Sequence, residues 1–257
     1  MENSSRPEEI LVSIILPVFN TGDLFAASYQ SVLDQGIAAF ELLVIDDGSS
    51  NDTYDIIAKY AQADQRIKLN RNIKNVGVAV SRNLALKKAQ GQYIAFLDCG
   101  DIWAKDKLTK QIELLNKKKA DLCYGGYSYF QATPENILRE YRVPATVSYQ
   151  ELLKENFLGC STVLLKSASL KNQSFPLGYS HEDYVFWLML IKQGLVFVGL
   201  SDNLVYYRVG GRSSNKYRAA KNRWKIYRKA EKLSFISSLY YFSVYACRMM
   251  KKYAIKK

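Results

Sequence analysis

Leu42-Leu43-Val44-Ile45-Asp46-Asp47-Gly48-Ser49 and Tyr93-Ile94-Ala95-Phe96-Leu97-Asp98-Cys99-Gly100-Asp101 decide the fold. Each is an apolar run of strand length that ends in carboxylates. In an open α/β sheet, ligands sit beyond the carboxyl ends of the strands, so both runs aim their acids at one crevice. A third acidic pair, in Ser180-His181-Glu182-Asp183-Tyr184, opens a helix far downstream. An acidic pocket with a separate downstream carboxylate suits a nucleotide-sugar donor and a general base.

Working outward, strand signals at 12–16, 41–45 and 92–97, with weaker ones near 121–129, 196–200 and 204–208, alternate with helical patterns at about 23–34, 52–63, 76–90 and 105–119. That alternation predicts an α/β fold, a Rossmann-like, mostly parallel central sheet with flanking helices. Asn51-Asp52 reads as a helix start and Gly91 as a C-cap. The pattern dissolves from Thr133 to Ser148, around Pro134 and Pro144, which predicts a long mobile loop.

The chain has 257 residues, 48% apolar and 23% charged, enough for one α/β domain with a full core. No apolar h-region precedes Glu9, so no secretory signal is expected. Cys99, Cys123, Cys160 and Cys247 lie far apart and read as reduced thiols of a cytosolic protein. The one histidine, His181, excludes a multi-histidine metal centre.

Several motifs admit two readings. Pro17-Val18-Phe19-Asn20 either ends the first strand in a turn or lets Asn20 reach a base or ribose. Asp46-Asp47-Gly48-Ser49 is either a turn with a helix cap or a base-binding corner. There a carboxylate accepts from a pyrimidine imide and Gly48 admits a close backbone approach to the ligand. Arg82, on the first turns of the helix after Asn75-Val76-Gly77, suits a donor diphosphate or an ion pair with Asp98. Ser180 with Asp183 fits a capping box, yet capping needs only one of the adjacent Glu182 and Asp183.

Taken in order, PVFN, IDDGSS, NVGVAVSRN, GQYIAFLDCGDIW and HEDYVFWLMLIKQG resemble the family 2 glycosyltransferases of the GT-A fold, over about residues 12–208. The likeness is strongest to members that build bacterial capsule, O-antigen or teichuronic-type polymers. The resemblance implies inverting transfer from a nucleotide sugar, commonly a UDP-sugar, to a lipid-linked or growing saccharide acceptor. It implies donor binding by Pro17, Phe19, Asn20, Asp46, Asp47, Arg82, Asp98 and Arg208, with Asp183 as catalytic base and Glu182 as its neighbour.

Two departures matter. The family reads Asp-x-Asp-Asp where this chain has Asp98-Cys99-Gly100-Asp101, and Tyr207-Arg208 is not followed by the usual histidine. A divalent cation (Mg or Mn) would then be left with Asp98 and Asp101, a weak set for an ion that wants several oxygens. Weakened metal dependence follows, with Arg208, Arg212 and Lys216 supplying charge to the leaving diphosphate. The alternative is a catalytically impaired nucleotide-sugar-binding or scaffolding protein.

The body and tail differ in charge. Residues 216–257 hold 13 Lys/Arg and one acid, Glu231, and so carry the whole formal charge of +12. The expected division is a GT-A domain at 1–215 and a basic, aromatic, amphipathic helical tail at 216–257. The uncharged run at 233–247 is shorter than the roughly 20 residues that cross a bilayer. Flanking lysines and interfacial aromatics suit an anionic membrane surface, which predicts peripheral attachment at the inner face of the plasma membrane. The other reading is a helix pair packed on the body with solvated lysines. No recognised nucleic-acid module is present, so nucleic acid is not expected as a partner.

Overall fold

The computed structural model describes residues 10–209 and 216–254. Arg212 and the N-terminal segment before Ile10 lie outside the described residues, as does the side chain of Lys216.

The first half is a parallel unit. Strands β1 (Val12–Val18), β2 (Phe40–Asp46), β3 (Ile67–Arg71) and β4 (Tyr93–Phe96) pair in the order β3-β2-β1-β4, all parallel. Helices α1 (Leu24–Leu33), α2 (Thr53–Ala63) and α3 (Val78–Leu86) make the connections. Strand order reverses at β1, so the crevice opens beyond the ends of β1, β2 and β4.

The second half is mixed. After β5 (Ile102–Trp103) and α4 (Lys107–Lys118) come β6 (Leu122–Phe130), β7 (Ile137–Tyr141), α5 (Tyr149–Lys154) and β8 (Leu164–Lys166). Then follow α6 (Glu182–Lys192) and the long β9 (Phe197–Arg208). The sheet continues β4-β8-β6-β9-β5, and β7 pairs with β6 off this path. Here β6 and β9 are parallel, whereas β5, β7 and β8 run antiparallel.

Alternation along the strands sends side chains to two cores. Ile15, Leu43, Ile45, Ile94 and Phe96 face α3 and the aromatic side of α6, including Phe186 and Trp187. Val12, Ile14, Leu16, Leu42, Val44 and Ala95 face Phe25 of α1, Ile57 of α2 and Leu108 and Leu115 of α4. Covering both faces explains why the strands read as continuous apolar runs.

Several expectations need correction. The stretch 133–148 contains β7, paired to β6, and the first turn of α5, so it is not one long loop. The weak signals at 196–200 and 204–208 form one strand, β9, interrupted by a bulge. Helix α3 is shorter than 76–90, and Gly91 is not its C-cap. Instead Gly91 N–H donates to Ser13 Oγ at 2.8 Å, where a Cβ would lie 2.5 Å from the Ser13 nitrogen. Strand β3, half polar, was not anticipated.

The tail is helical: α7 (Lys216–Lys225), a π-turn at Ile226–Ala230 and α8 (Phe235–Ala254). Tyr227 is fully buried and donates to Leu153 O of α5. Arg223 lies 3.9 Å from the ring centroid of Tyr184 in α6 and 4.6 Å from that of Tyr245 in α8. The tail therefore packs on the body. None of the described helices is long and apolar enough to cross a membrane.

Candidate active site

The crevice has two walls. At the ends of β1 and β2, Asn20 takes a left-handed φ of 53°, donates from N–H to Ser49 Oγ at 2.9 Å and accepts from Ser50 N–H at 2.9 Å. Phe19 beside it is half exposed at the mouth. Asp46 is buried; it accepts from Ser49 N–H and Oγ–H and pairs with Arg71 Nε at 3.1 Å. Asp47 accepts from Asn72 Nδ2 and from the N–H groups of Val76 and Gly77, at 2.8, 3.0 and 2.8 Å. Both carboxylates thus shape this wall through bonds within the chain. Gly48 does permit a close approach, but to the chain's own backbone. With φ of +73°, a Cβ there would lie 2.6 Å from the Lys74 carbonyl carbon.

The second wall is the acid cluster. Arg82 is buried, yet its guanidinium donates to Asp98 at 2.5 Å from one nitrogen and to Glu182 at 2.7 Å from the other. The ion pair with Asp98 considered for Arg82 is present, and Glu182 joins it. Asn83, next on α3, clamps the backbone of Phe175 through its side-chain oxygen and nitrogen, at 2.7 and 2.9 Å. Two neighbouring residues of α3 therefore fix both the loop before α6 and the first turn of α6. No capping box forms there: the N-cap is His181, and Asp183 accepts from Tyr184 N–H at 2.8 Å. Burial raises the pKa of Glu182, with Asp183 adding to the shift. Burial also raises that of Asp183, against the opposing pull of Arg82.

Asp101 is buried and accepts from Ser161 Oγ at 2.6 Å, while Ser161 Oγ also accepts from Asp98 N–H at 3.0 Å. Burial, then the neighbouring Asp98, pushes its carboxyl well above the usual range. These residues fit a dedicated divalent-cation site poorly. Asp98 is committed to Arg82, Asp101 to Ser161 and toward its protonated form, and Gly100 offers no side chain. Arg208 does not turn toward the acids: its guanidinium sits 4.8 Å from the Phe130 ring centroid and donates to Ala132 O at 3.3 Å.

Ser161, Arg71 and Asn72 were missed in the sequence. None lies in an acidic or glycine-marked motif, and their roles arise only from partners 22 to 63 residues away. Tyr207 is another such residue. Its hydroxyl is buried, has no hydrogen-bond partner among the described residues and abuts Gly159, where a Cβ would lie 2.1 Å from it.

A Rossmann-like half-sheet with an acid-lined crevice at its switch point, extended by a mixed sheet carrying a second acidic helix start, defines a glycosyltransferase of the GT-A class. The S. aureus enzyme TarS, solved in complex with UDP, superposes with a TM-score of 0.69 at 21% identity, covering 94% of this chain and 72% of that one. A mannosyltransferase from Pyrobaculum calidifontis, solved with GDP-Man and Mn2+, superposes with a TM-score of 0.68 at 17% identity, covering 96% and 76%. The family model for glycosyl transferase family 2 matches residues 13–173. A Bacillus subtilis glycosyltransferase assigned to teichuronic acid biosynthesis, TuaG, is 36% identical over 94% of this chain and 97% of its own. The Escherichia coli UDP-Glc:alpha-D-GlcNAc-diphosphoundecaprenol beta-1,3-glucosyltransferase WfgD is 37% identical over 85% and 86%. The chain belongs to glycosyl transferase family 2.

Proposed function

We propose that this chain is an inverting hexosyltransferase of bacterial surface-polysaccharide assembly. It would move a sugar from a UDP-sugar to a hydroxyl of a lipid-linked saccharide. The observation that carries this reading is the Arg82 bridge, which holds the carboxylates at the end of β4 and at the start of α6 on one guanidinium. The donor and acceptor classes come from relatives: WfgD is named for UDP-Glc and a diphosphoundecaprenol acceptor, and TarS is seen with UDP.

In this reading the nucleotide lies along Pro17, Phe19, Asn20, Asp46 and Asp47. Arg82 holds Asp98 and Glu182 in place around the reacting sugar. Asp183 accepts the proton of the acceptor hydroxyl as that oxygen bonds to the anomeric carbon. The bond from that carbon to the diphosphate oxygen breaks on the opposite face, and the electron pair leaves with the nucleoside diphosphate. A raised carboxyl pKa suits a base that must gain a proton. Asp98, Gly100 and Asp101 fit a cation poorly, so basic side chains would take its place at the leaving diphosphate. Arg212 and Lys216, which follow β9 in the sequence, would supply positive charge to the leaving group.

The tail would rest on an anionic membrane and bring the cleft to its lipid-linked substrate at the inner face. Phe235, Ile236, Leu239, Tyr240 and Met250 of α8 are exposed, and Ile236, Tyr240, Ser243, Cys247 and Met250 recur at the spacing of one helix face.

The alternative reading, a nucleotide-sugar-binding scaffold without chemistry, is favoured by Gly100 alone. Titration of UDP, GDP, CDP and dTDP, each with manganese and with EDTA, should show UDP binding that survives EDTA. Turnover of a UDP-sugar on a GlcNAc-diphospholipid should then fall at least ~10²-fold in Asp183→Asn with UDP affinity retained. Nucleotide binding without turnover in the unaltered protein would establish the scaffold.

A further inference from the structure

A cavity of about 340 Å³ lies between β6, β7 and β9, apart from the acid cluster. A bulge in β9 builds it. Gly125 pairs with Leu200, but Gly126 pairs with Asn203, so Ser201 and Asp202 project from the ladder. Bulges of this kind re-aim side chains beside functional sites. Only glycine fits opposite the bulge: a Cβ on Gly126 would lie 2.8 Å from the carbonyl oxygens of Ser201 and Asp202 and 2.9 Å from that of Tyr141.

Tyr127, Glu140, Tyr141, Arg142, Asp202 and Asn203 line the cavity. Two phenol rings supply apolar surface with a hydroxyl at the edge. Two carboxylates, an amide and a guanidinium supply paired donors and acceptors, the groups that read vicinal hydroxyls. Asp202 already pairs with Lys110 at 3.2 Å, so the remaining charges, Glu140 and Arg142, balance and offer no net cation to an anionic ligand such as a phosphate. The volume falls in the range of roughly 300–1,000 Å³ typical of small-molecule sites.

The location decides the role. In the order β3-β2-β1-β4-β8-β6-β9-β5, the nucleotide wall on β1 and β2 and the cavity on β6 and β9 lie on opposite sides of β4, whose end carries Asp98. Tyr207 links the cavity to the acids: it meets Tyr127 edge-on at 5.1 Å, and its buried hydroxyl abuts Gly159 beside the acid cluster. We propose that this cavity is an uncharged-saccharide subsite, holding a sugar residue of the acceptor adjacent to the one that reacts. The proposal rests on the reading of the crevice as a glycosyl-transfer site.

The test uses the full chain and two probes, N,N′-diacetylchitobiose and laminaritriose, titrated by ligand-observed NMR and calorimetry, with UDP titrated separately. Saturable binding of either oligosaccharide is expected, weakened at least tenfold in Glu140→Ala and in Tyr141→Ala. UDP affinity in both variants, and the melting temperature of Glu140→Ala, should stay close to those of the unaltered protein, whereas Tyr141→Ala also loses its ring contacts with Tyr127 and Tyr129. Failure of both oligosaccharides to bind would overturn the subsite. So would binding that both variants leave unchanged, or binding that UDP displaces. Loss of UDP binding in the unaltered protein would instead count against the nucleotide reading, whatever the oligosaccharides do.

Discussion

Arg82 donates to Glu182 at 2.7 Å across one hundred residues of sequence, and this bond joins the parallel half of the molecule to the helix that bears the proposed base. Both side chains are buried, so the guanidinium is the counter-charge that lets Glu182, Asp98 and Asp183 share one wall.

Removing Arg82 should therefore cost more than one contact. Arg82→Ala leaves clustered carboxylates without their cation, a loss of about 3–5 kcal/mol. Urea unfolding at pH 7 would show it. Because the orphaned carboxyls then favour their protonated forms, the variant should recover stability as pH falls toward 5, and Glu182→Gln in the same background should recover part of it at pH 7. Additive losses in the double variant would count against the bridge.

Lys107 sets a second, independent pH dependence. It is fully buried, donates to Gln111 Oε1 at 2.8 Å and lies 4.1 Å from the Trp103 ring centroid, and burial lowers its pKa to about 7. The unfolded chain holds that proton to about pH 10.4. Between pH 7 and 8.5 the unfolded state thus binds more protons, and stability should rise with pH by up to ~1.4 kcal/mol per unit from this group. Lys107→Met should be more stable at pH 7 and lack this contribution. Identical pH slopes in the two proteins would refute it.

Gly100 is not simply a missing acid. Its φ is +98°, a conformation that side-chain-bearing residues adopt at a cost of about 1–2 kcal/mol. A Cβ would also touch Leu24 Cδ1 at 3.4 Å. Gly100→Asp should therefore lower the melting temperature and leave UDP affinity with manganese within a few-fold of that in EDTA. A manganese-dependent gain of tenfold or more would show that the backbone readily accepts the acid.

The exposed side of α8 should carry membrane attachment. Ile236→Ser with Leu239→Ser removes two exposed apolar groups without touching Tyr241 or Phe242, which pack on the body. Co-flotation with vesicles containing anionic lipid should drop severalfold while UDP binding holds. Unchanged flotation would place attachment elsewhere.

Much of the parallel half was legible because burial on both faces leaves uninterrupted apolar runs, and their terminal acids mark the crevice. Strand β3 escaped because Ile67–Arg71 is an edge strand with polar positions, and β7 because Ile137 and Leu138 are exposed on a strand that pairs with β6 alone among the described strands. Asp98, Glu182 and Asp183 were visible as candidates, whereas their partners Arg82 and Ser161 had two readings or none.

The sequence by itself determined the family, the α/β alternation and the acids that end its strands, since these depend on residue type and local spacing. Tertiary structure alone decided which charges meet. It turned Asp47 toward the backbone of Val76 and Gly77, drew Arg82 between Asp98 and Glu182, and folded the β9 bulge over Gly126. Those contacts span residues far apart in the chain, and burial makes each one obligatory by removing the water that would otherwise satisfy the same groups.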